Sequence, residues 1–163
     1  MLDADYQGYV LSFDGAAKVS TRQRSCGGIL WKLPGWQVEK TEEHILEGVT
    51  VNDAEYHGLI RGLKLALMFD AKELVVVGGS RIIVQQAQGL INCNQSNLQR
   101  RLAEYEGLRK NVVSMKLIHV KCEFNQAAGY LTSKTLVLVG SWELNVPDEI
   151  VHLRLVSRIP ERS

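Results

Sequence analysis

Asn52–Leu63 reads NDAEYHGLIRGL, and Leu74–Ser80 follows it as LVVVGGS. In the first stretch and just beyond it, Tyr56, Leu59, Ile60, Leu63 and Leu67 recur at helical spacing, which gives a helix one apolar face. Asn52 or Asp53 stands where a cap is needed, and the helix is predicted to run to about Phe69. The second stretch opens on an unbroken run, Leu74–Val77, as a strand buried on both faces does. A helix feeding such a strand implies parallel pairing, with helices packed on the sheet.

The pattern extends in both directions. Upstream, Tyr9–Phe13 (YVLSF) is β-branched and aromatic, and Asp14-Gly15 is predicted to end it. Cys26–Lys32 reads as a second strand and Pro34-Gly35 as a turn. Trp36–Val49 alternates in part and reads as a third strand, completing an antiparallel meander. Downstream, Ser80 can cap a helix that carries Ile83, Val84 and Ala87 and stops at Gly89. Leu98, Leu102, Tyr105 and Leu108 mark another helix, Met115–Val120 a strand, and Asn125–Thr135 a last helix. This order predicts an α/β fold: a mixed five-stranded sheet, three antiparallel strands and then parallel ones, flanked by helices. Trp142, Pro147 and Pro160 punctuate the remainder, and its pattern fixes no element. Residues 1–135 are therefore expected to form the domain, with 136–163 as an extension packed on it.

At 163 residues and 45% hydrophobic content, the chain suits one domain with one sizeable core. No apolar run is long enough to span a bilayer. Met1–Asp5 lacks the basic region and apolar stretch of a secretory signal. Cys26, Cys93 and Cys122 form no CxxC pair and no zinc spacing, so reduced thiols in an intracellular protein, cytoplasmic or nuclear, are expected. A net charge of +1 gives no global pull toward nucleic acid. The charges are uneven, however. Glu39–Glu55 holds six acids and one base, whereas Arg100–Lys121 holds six bases and two acids. The second stretch could meet phosphates, or it could be a solvated helix face.

Several residues could carry chemistry, and each has a structural alternative. Asp14 falls at a strand end, where α/β sites form, but Asp14-Gly15 also suits a hairpin turn. Glu55 lies in the first turns of the long helix, where Asn52 with Glu55 fits a capping box. Gly78-Gly79-Ser80 could cradle a phosphate at a helix start or simply join strand to helix. His119, on an apolar strand, reads as a core or supporting histidine. His44, His57 and His152 have no evident nucleophile beside them. Trp31 and Trp36 flank a turn and could stack on bases or cover a core edge.

Taken together, these motifs resemble ribonuclease H. Phe13-Asp14-Gly15-Ala16-Ala17 followed by Gly27-Gly28-Ile29-Leu30 is similar to that family's opening strands. Asn52–Leu63 is similar to its N-x-A-E-x-x-A-L-I-x-x-L helix, and Leu74–Ser80 to its fourth strand, which normally ends Gly-Asp-Ser. Ile118-His119-Val120 with Asn125–Leu131 resembles H-V-x-R-E-x-N-x-x-A-D-x-L-A. The match spans roughly Tyr9 to Thr135 and is nearest to the reverse-transcriptase-like branch of retroelements and their domesticated relatives.

The resemblance implies metal-assisted hydrolysis of the RNA strand of an RNA–DNA hybrid, with carboxylates holding Mg²⁺ ions. It assigns Asp14 as the first catalytic and metal-binding aspartate and Glu55 as the helix glutamate. Gly79 stands where the third carboxylate belongs and Gly129 where the fourth belongs, and glycine offers no side-chain ligand. Lys18, Arg22, Ser80, Arg100, Arg101 and Asn125 are the candidate nucleic-acid contacts. Three functions are thereby expected in turn: a degenerate domain that binds hybrid or duplex with cleavage lost or impaired, a residually active Mg²⁺- or Mn²⁺-dependent ribonuclease, or a protein-interaction scaffold on the same fold. The protein partner is not specified by the sequence.

Overall fold

The computed structural model describes residues 8–18, 23–33 and 36–120. Thr50 starts the long helix: its hydroxyl accepts a hydrogen bond from Asp53 N at 3.1 Å, and α1 follows over Val51–Met68. The cap is thus neither Asn52 nor Asp53. A threonine side chain ahead of the first turn satisfies an otherwise orphaned N–H, which leaves Glu55 free of any capping role.

The strands are β1 Tyr9–Lys18, β2 Gln23–Lys32, β3 Gln37–Leu46, β4 Glu73–Gly78 and β5 Ser114–His119, in spatial order β3-β2-β1-β4-β5. β1 to β3 form the antiparallel meander, and β4 and β5 pair parallel. The expected mixed sheet is therefore present. Two shorter helices, α2 over Arg81–Ala87 and α3 over Ser96–Arg109, join β4 to β5. Gly89, at φ +79°, follows α2 in the left-handed conformation that glycine tolerates after a helix end.

β1 is longer than its sequence suggests. Asp14-Gly15 does not end it, because β2 continues to pair with it from Tyr9↔Lys32 through Gly15↔Cys26 to Lys18↔Gln23. Its parallel pairing with β4, by contrast, stops at Phe13↔Gly78. Asp14 is thus the first residue of the central strand beyond the end of its parallel neighbour. An antiparallel partner lets the chain stay extended through a dipeptide that would otherwise turn.

Alternation along the strands sends Leu11, Phe13, Leu30, Leu74 and Val76 toward the helices, where they form one core with Tyr56, Leu59 and Leu63. Val10, Ile29, Trp31, Val75 and Val77 point to the other face and are also buried. Burial on both faces accounts for the unbroken apolar run in β4. Trp31 donates from Nε1 to Ser12 Oγ at 3.0 Å and meets Trp36 edge-on at 6.0 Å, so it is a core residue rather than a stacking platform. No helix among the described residues is long and apolar enough to cross a membrane. Cys26 and Cys93 are free thiols. Cys122, the expected helix over Asn125–Thr135 and the extension over 136–163 lie outside the described residues.

Candidate metal and nucleic-acid site

Asp14 and Glu55 come together where α1 crosses the end of the β1–β4 pairing. Their carboxyls share a hydrogen bond, and the Gly15 N–H donates to Asp14 Oδ1 at 2.9 Å. Glu55 is only 7% exposed, and its Oε2 has no hydrogen-bond partner among the described residues. Burial pushes both carboxyls above the usual carboxylate range. Glu55 is raised strongly, because the Asp14 charge adds to its burial.

A buried carboxylate pair with one unpartnered oxygen suits a hard divalent cation. Mg²⁺ binds through one or two carboxylates and retains waters for substrate phosphate to displace. The described residues therefore fit one such ion, held by Asp14 and Glu55. Among the described residues no group of three or more His, Cys, Asp or Glu side chains is arranged to hold a metal. Gly79 follows β4 and is half-buried, and it contributes no donor. Its φ is not in the left-handed region, so the backbone there does not itself require glycine.

The other candidates separate. Ser80 caps α2, accepting from Ile83 N at 3.5 Å, so Gly78-Gly79-Ser80 is a strand-to-helix connection. Arg100 is exposed on α3. Arg101 is engaged within the fold: its Nε donates to Asp53 Oδ1 at 3.0 Å, and its Nη1 lies 3.7 Å from Glu104 Oε2. Lys18 is the last residue of β1, while Arg22, Asn125 and Gly129 lie outside the described residues. His119 ends β5, half-buried, beside Gly78.

Two polar groupings are not apparent from sequence alone. On α1, His57 Nε2 lies 3.7 Å from Asp53 Oδ1, and burial next to Arg101 holds the imidazole below its usual pKa. Between β3 and α1, His44 Nε2 sits 2.8 Å from Glu42 Oε1 and 3.3 Å from Arg61 Nη1. The one available signal was spacing: Asp53 and His57 are four apart on a helix, and Glu42 and His44 two apart on a strand.

This topology is that of a ribonuclease H-like domain. The chain belongs to the family described as reverse transcriptase-like, whose model matches residues 12–135. Ribonuclease HI of Halobacterium salinarum is 27% identical over 124 residues, which is 76% of this chain and 62% of that protein. The chain therefore spans less than two thirds of that relative. The crystal structure of RNase H1 from the same archaeon superposes with TM-score 0.76 at 23% identity, covering 80% of this chain and 98% of that one. LC11-RNase H1, isolated from compost and solved with an RNA/DNA hybrid, superposes with TM-score 0.71 at 25% identity, covering 78% and 99%.

Proposed function

We propose that this domain binds RNA–DNA hybrid or duplex nucleic acid and has lost, or nearly lost, the ability to cleave it. The observation that carries the proposal is the site itself: Asp14 and Glu55 are joined, and Gly79 brings no ligand where the family resemblance expects a third carboxylate. When bound at such a site, Mg²⁺ activates water and neutralises charge on the leaving oxygen. Asp14 and Glu55 would hold one ion, with Gly129 repeating the loss at the fourth position. Binding does not require those ligands, because phosphate contacts supply most of the affinity of such proteins. Exposed Arg100 is the leading contact on α3, and Lys18, Arg22, Ser80 and Asn125 complete the proposed surface. Arg101 contributes mainly by holding α3 to α1. The hybrid seen bound to LC11-RNase H1 supports this choice of ligand. The family match ends at residue 135, which supports residues 1–135 as the binding domain and 136–163 as an extension of it. Free thiols at Cys26 and Cys93 suit a reducing compartment, in keeping with a cytoplasmic or nuclear location.

A second reading, a residual metal-dependent hybrid ribonuclease, draws on the retained pair and the unpartnered Glu55 Oε2. One comparison separates the two readings. The chain and its Gly79→Asp/Gly129→Asp form are incubated with a labelled RNA–DNA hybrid in Mg²⁺ and in Mn²⁺. The proposal expects salt-sensitive binding by both and cleavage only by the restored form. Cleavage by the unmodified chain that Asp14→Asn abolishes would establish the second reading. Absence of binding even at low salt would leave the fold serving as a protein scaffold.

A further inference from the structure

α1 lies closely on β1 beside the Asp14–Glu55 pair. A Cβ added at Gly58 would stand 2.8 Å from the Asp14 carbonyl oxygen and 3.3 Å from that of Gly27. A Cβ at Gly15 would stand 3.0 Å from Glu55 N, 3.2 Å from the Ala54 carbonyl carbon and 3.3 Å from Ala54 Cβ. Most of these neighbours are backbone atoms, which cannot swing aside as the end of a side chain can. A side chain at Gly58 must therefore shift the helix from the strand, and one at Gly15 requires the facing backbone to give by a few tenths of an ångström.

Gly58 lies three residues after Glu55, and residues at that spacing share a helix face. The Asp14-Gly15 backbone is thus straddled by Ala54-Glu55 on one side and Gly58 on the other. We propose that Gly15 and Gly58 are positioning residues: by letting the backbones of β1 and α1 touch, they fix the separation of the Asp14 and Glu55 carboxyls. The inference rests on reading those carboxyls as the functional site, and it specifies which residues hold them in place. Gly62 provides the contrast. A Cβ there would meet Leu11 Cδ1 at 2.7 Å and Cδ2 at 2.8 Å, a core side chain rather than the backbone beside Asp14. Gly62 lies one further turn along the same helix, so its alanine variant gains the same helix propensity without pressing on Asp14.

The test is a double-mutant cycle on the full chain, free of metal and nucleic acid. Thermal midpoints are measured for Asp14→Asn, Glu55→Gln and the double variant in the native, Gly58→Ala and Gly62→Ala backgrounds. The Asp14–Glu55 coupling should persist in Gly62→Ala and fall to about half or less in Gly58→Ala, because coupling depends on contact. A purely structural role for Gly58 would change the midpoint and leave the coupling intact, which would overturn the proposal. If Gly58→Ala does not fold, Gly15→Ala combined with Ala54→Gly supplies the same reading from the strand side. Failure of both to fold would also overturn it, since the contact would then be a requirement of folding. No nucleic acid enters the cycle, so loss of the hybrid-binding reading would leave its result standing.

Discussion

Arg101 Nε donates to Asp53 Oδ1 at 3.0 Å, across the contact between α3 and α1. The Asp53 side chain is only 9% exposed, whereas that of Arg101 is 33% exposed. Two adjacent arginines therefore sit in different surroundings, Arg100 exposed and Arg101 paired. Arg101→Ala leaves a buried carboxylate without its cation and should cost about 1–2 kcal/mol, at the lower end because Arg101 is partly solvated. Arg100→Ala should stay within about 0.5 kcal/mol. For nucleic acid the order reverses. Arg100→Ala should weaken hybrid binding and reduce the salt slope by about 1, as expected for one lost phosphate contact. Denaturant melts and a salt titration of binding check the two halves. Equal effects of both variants on stability would refute the division.

A second expectation concerns pH. The folded-state pKa values of Asp14 and Glu55 are raised, so the folded protein holds a proton that the unfolded chain releases. Below the ordinary carboxyl range both states are protonated, and the pair costs nothing. As pH rises through that range toward the raised folded pKa, the pair costs progressively more stability. Glu55→Gln keeps a hydrogen-bond donor toward Asp14 and removes the charge. It should raise the metal-free thermal midpoint at neutral pH by about 2–4 °C for each kcal/mol relieved. The advantage should vanish near pH 3 to 4, where the unfolded carboxyl is itself protonated. A midpoint that falls at neutral pH would contradict the pairing.

The third expectation is independent of function. Asp70 has φ +55° directly after α1, where Ala71 N donates to Ala66 O at 3.1 Å and Asp70 N to Leu67 O at 3.0 Å. This is a left-handed helix stop, which favours glycine. Asp70→Gly should stabilise the fold by up to about 1 kcal/mol, less what glycine's flexibility returns to the unfolded chain. Asp70→Val should destabilise it. Thermal melts of both variants measure the difference.

How much of this was legible follows from which forces are local. The apolar spacing of Tyr56, Leu59 and Leu63 and the unbroken Leu74–Val77 run fix their elements through burial, and both were readable. The reach of β1 past Asp14 was not. It depends on pairing with β2 residues such as Cys26, a non-local partner that overrides the turn tendency of Asp-Gly. Sequence alone does not single out Thr50 as the cap, because Asn52 and Asp53 are equally good capping types. Asp14 and Glu55 each have an ordinary structural role when read alone, and their proximity depends on a strand–helix contact that the sequence does not display. The Arg101 charge was legible in the sequence, but the Asp53 it faces across the helix contact was not. The close fit at Gly58 was invisible for the same reason: the atom it avoids belongs to a strand more than forty residues earlier in the chain.

The last expectation concerns Gly79. Gly79 follows β4, beside the point where Asp14 emerges from its parallel pairing, and its φ does not exclude an L side chain. Gly79→Asp therefore adds a third carboxyl beside two that are already buried together. In EDTA this variant should melt below the native chain, because another charge is crowded into a poorly solvated place. In Mg²⁺ the sign should change. An ion that binds only the folded state stabilises it by RT ln(1 + [L]/Kd), about 1.4 kcal/mol at ten times Kd. The native chain, with two ligands, should reach that occupancy only at much higher Mg²⁺, so millimolar Mg²⁺ should scarcely move its midpoint. The variant's midpoint should rise with Mg²⁺, and Asp14→Asn should remove the rise. Thermal melts across a Mg²⁺ series, with Ca²⁺ as a second hard ion, give both curves. If the native chain already shows a Mg²⁺-dependent rise that Asp14→Asn abolishes, two carboxylates suffice to hold an ion, and the loss at residue 79 does not explain an inactive site. If instead Gly79→Asp folds and remains indifferent to Mg²⁺, the end of β4 does not aim its side chain at the pair.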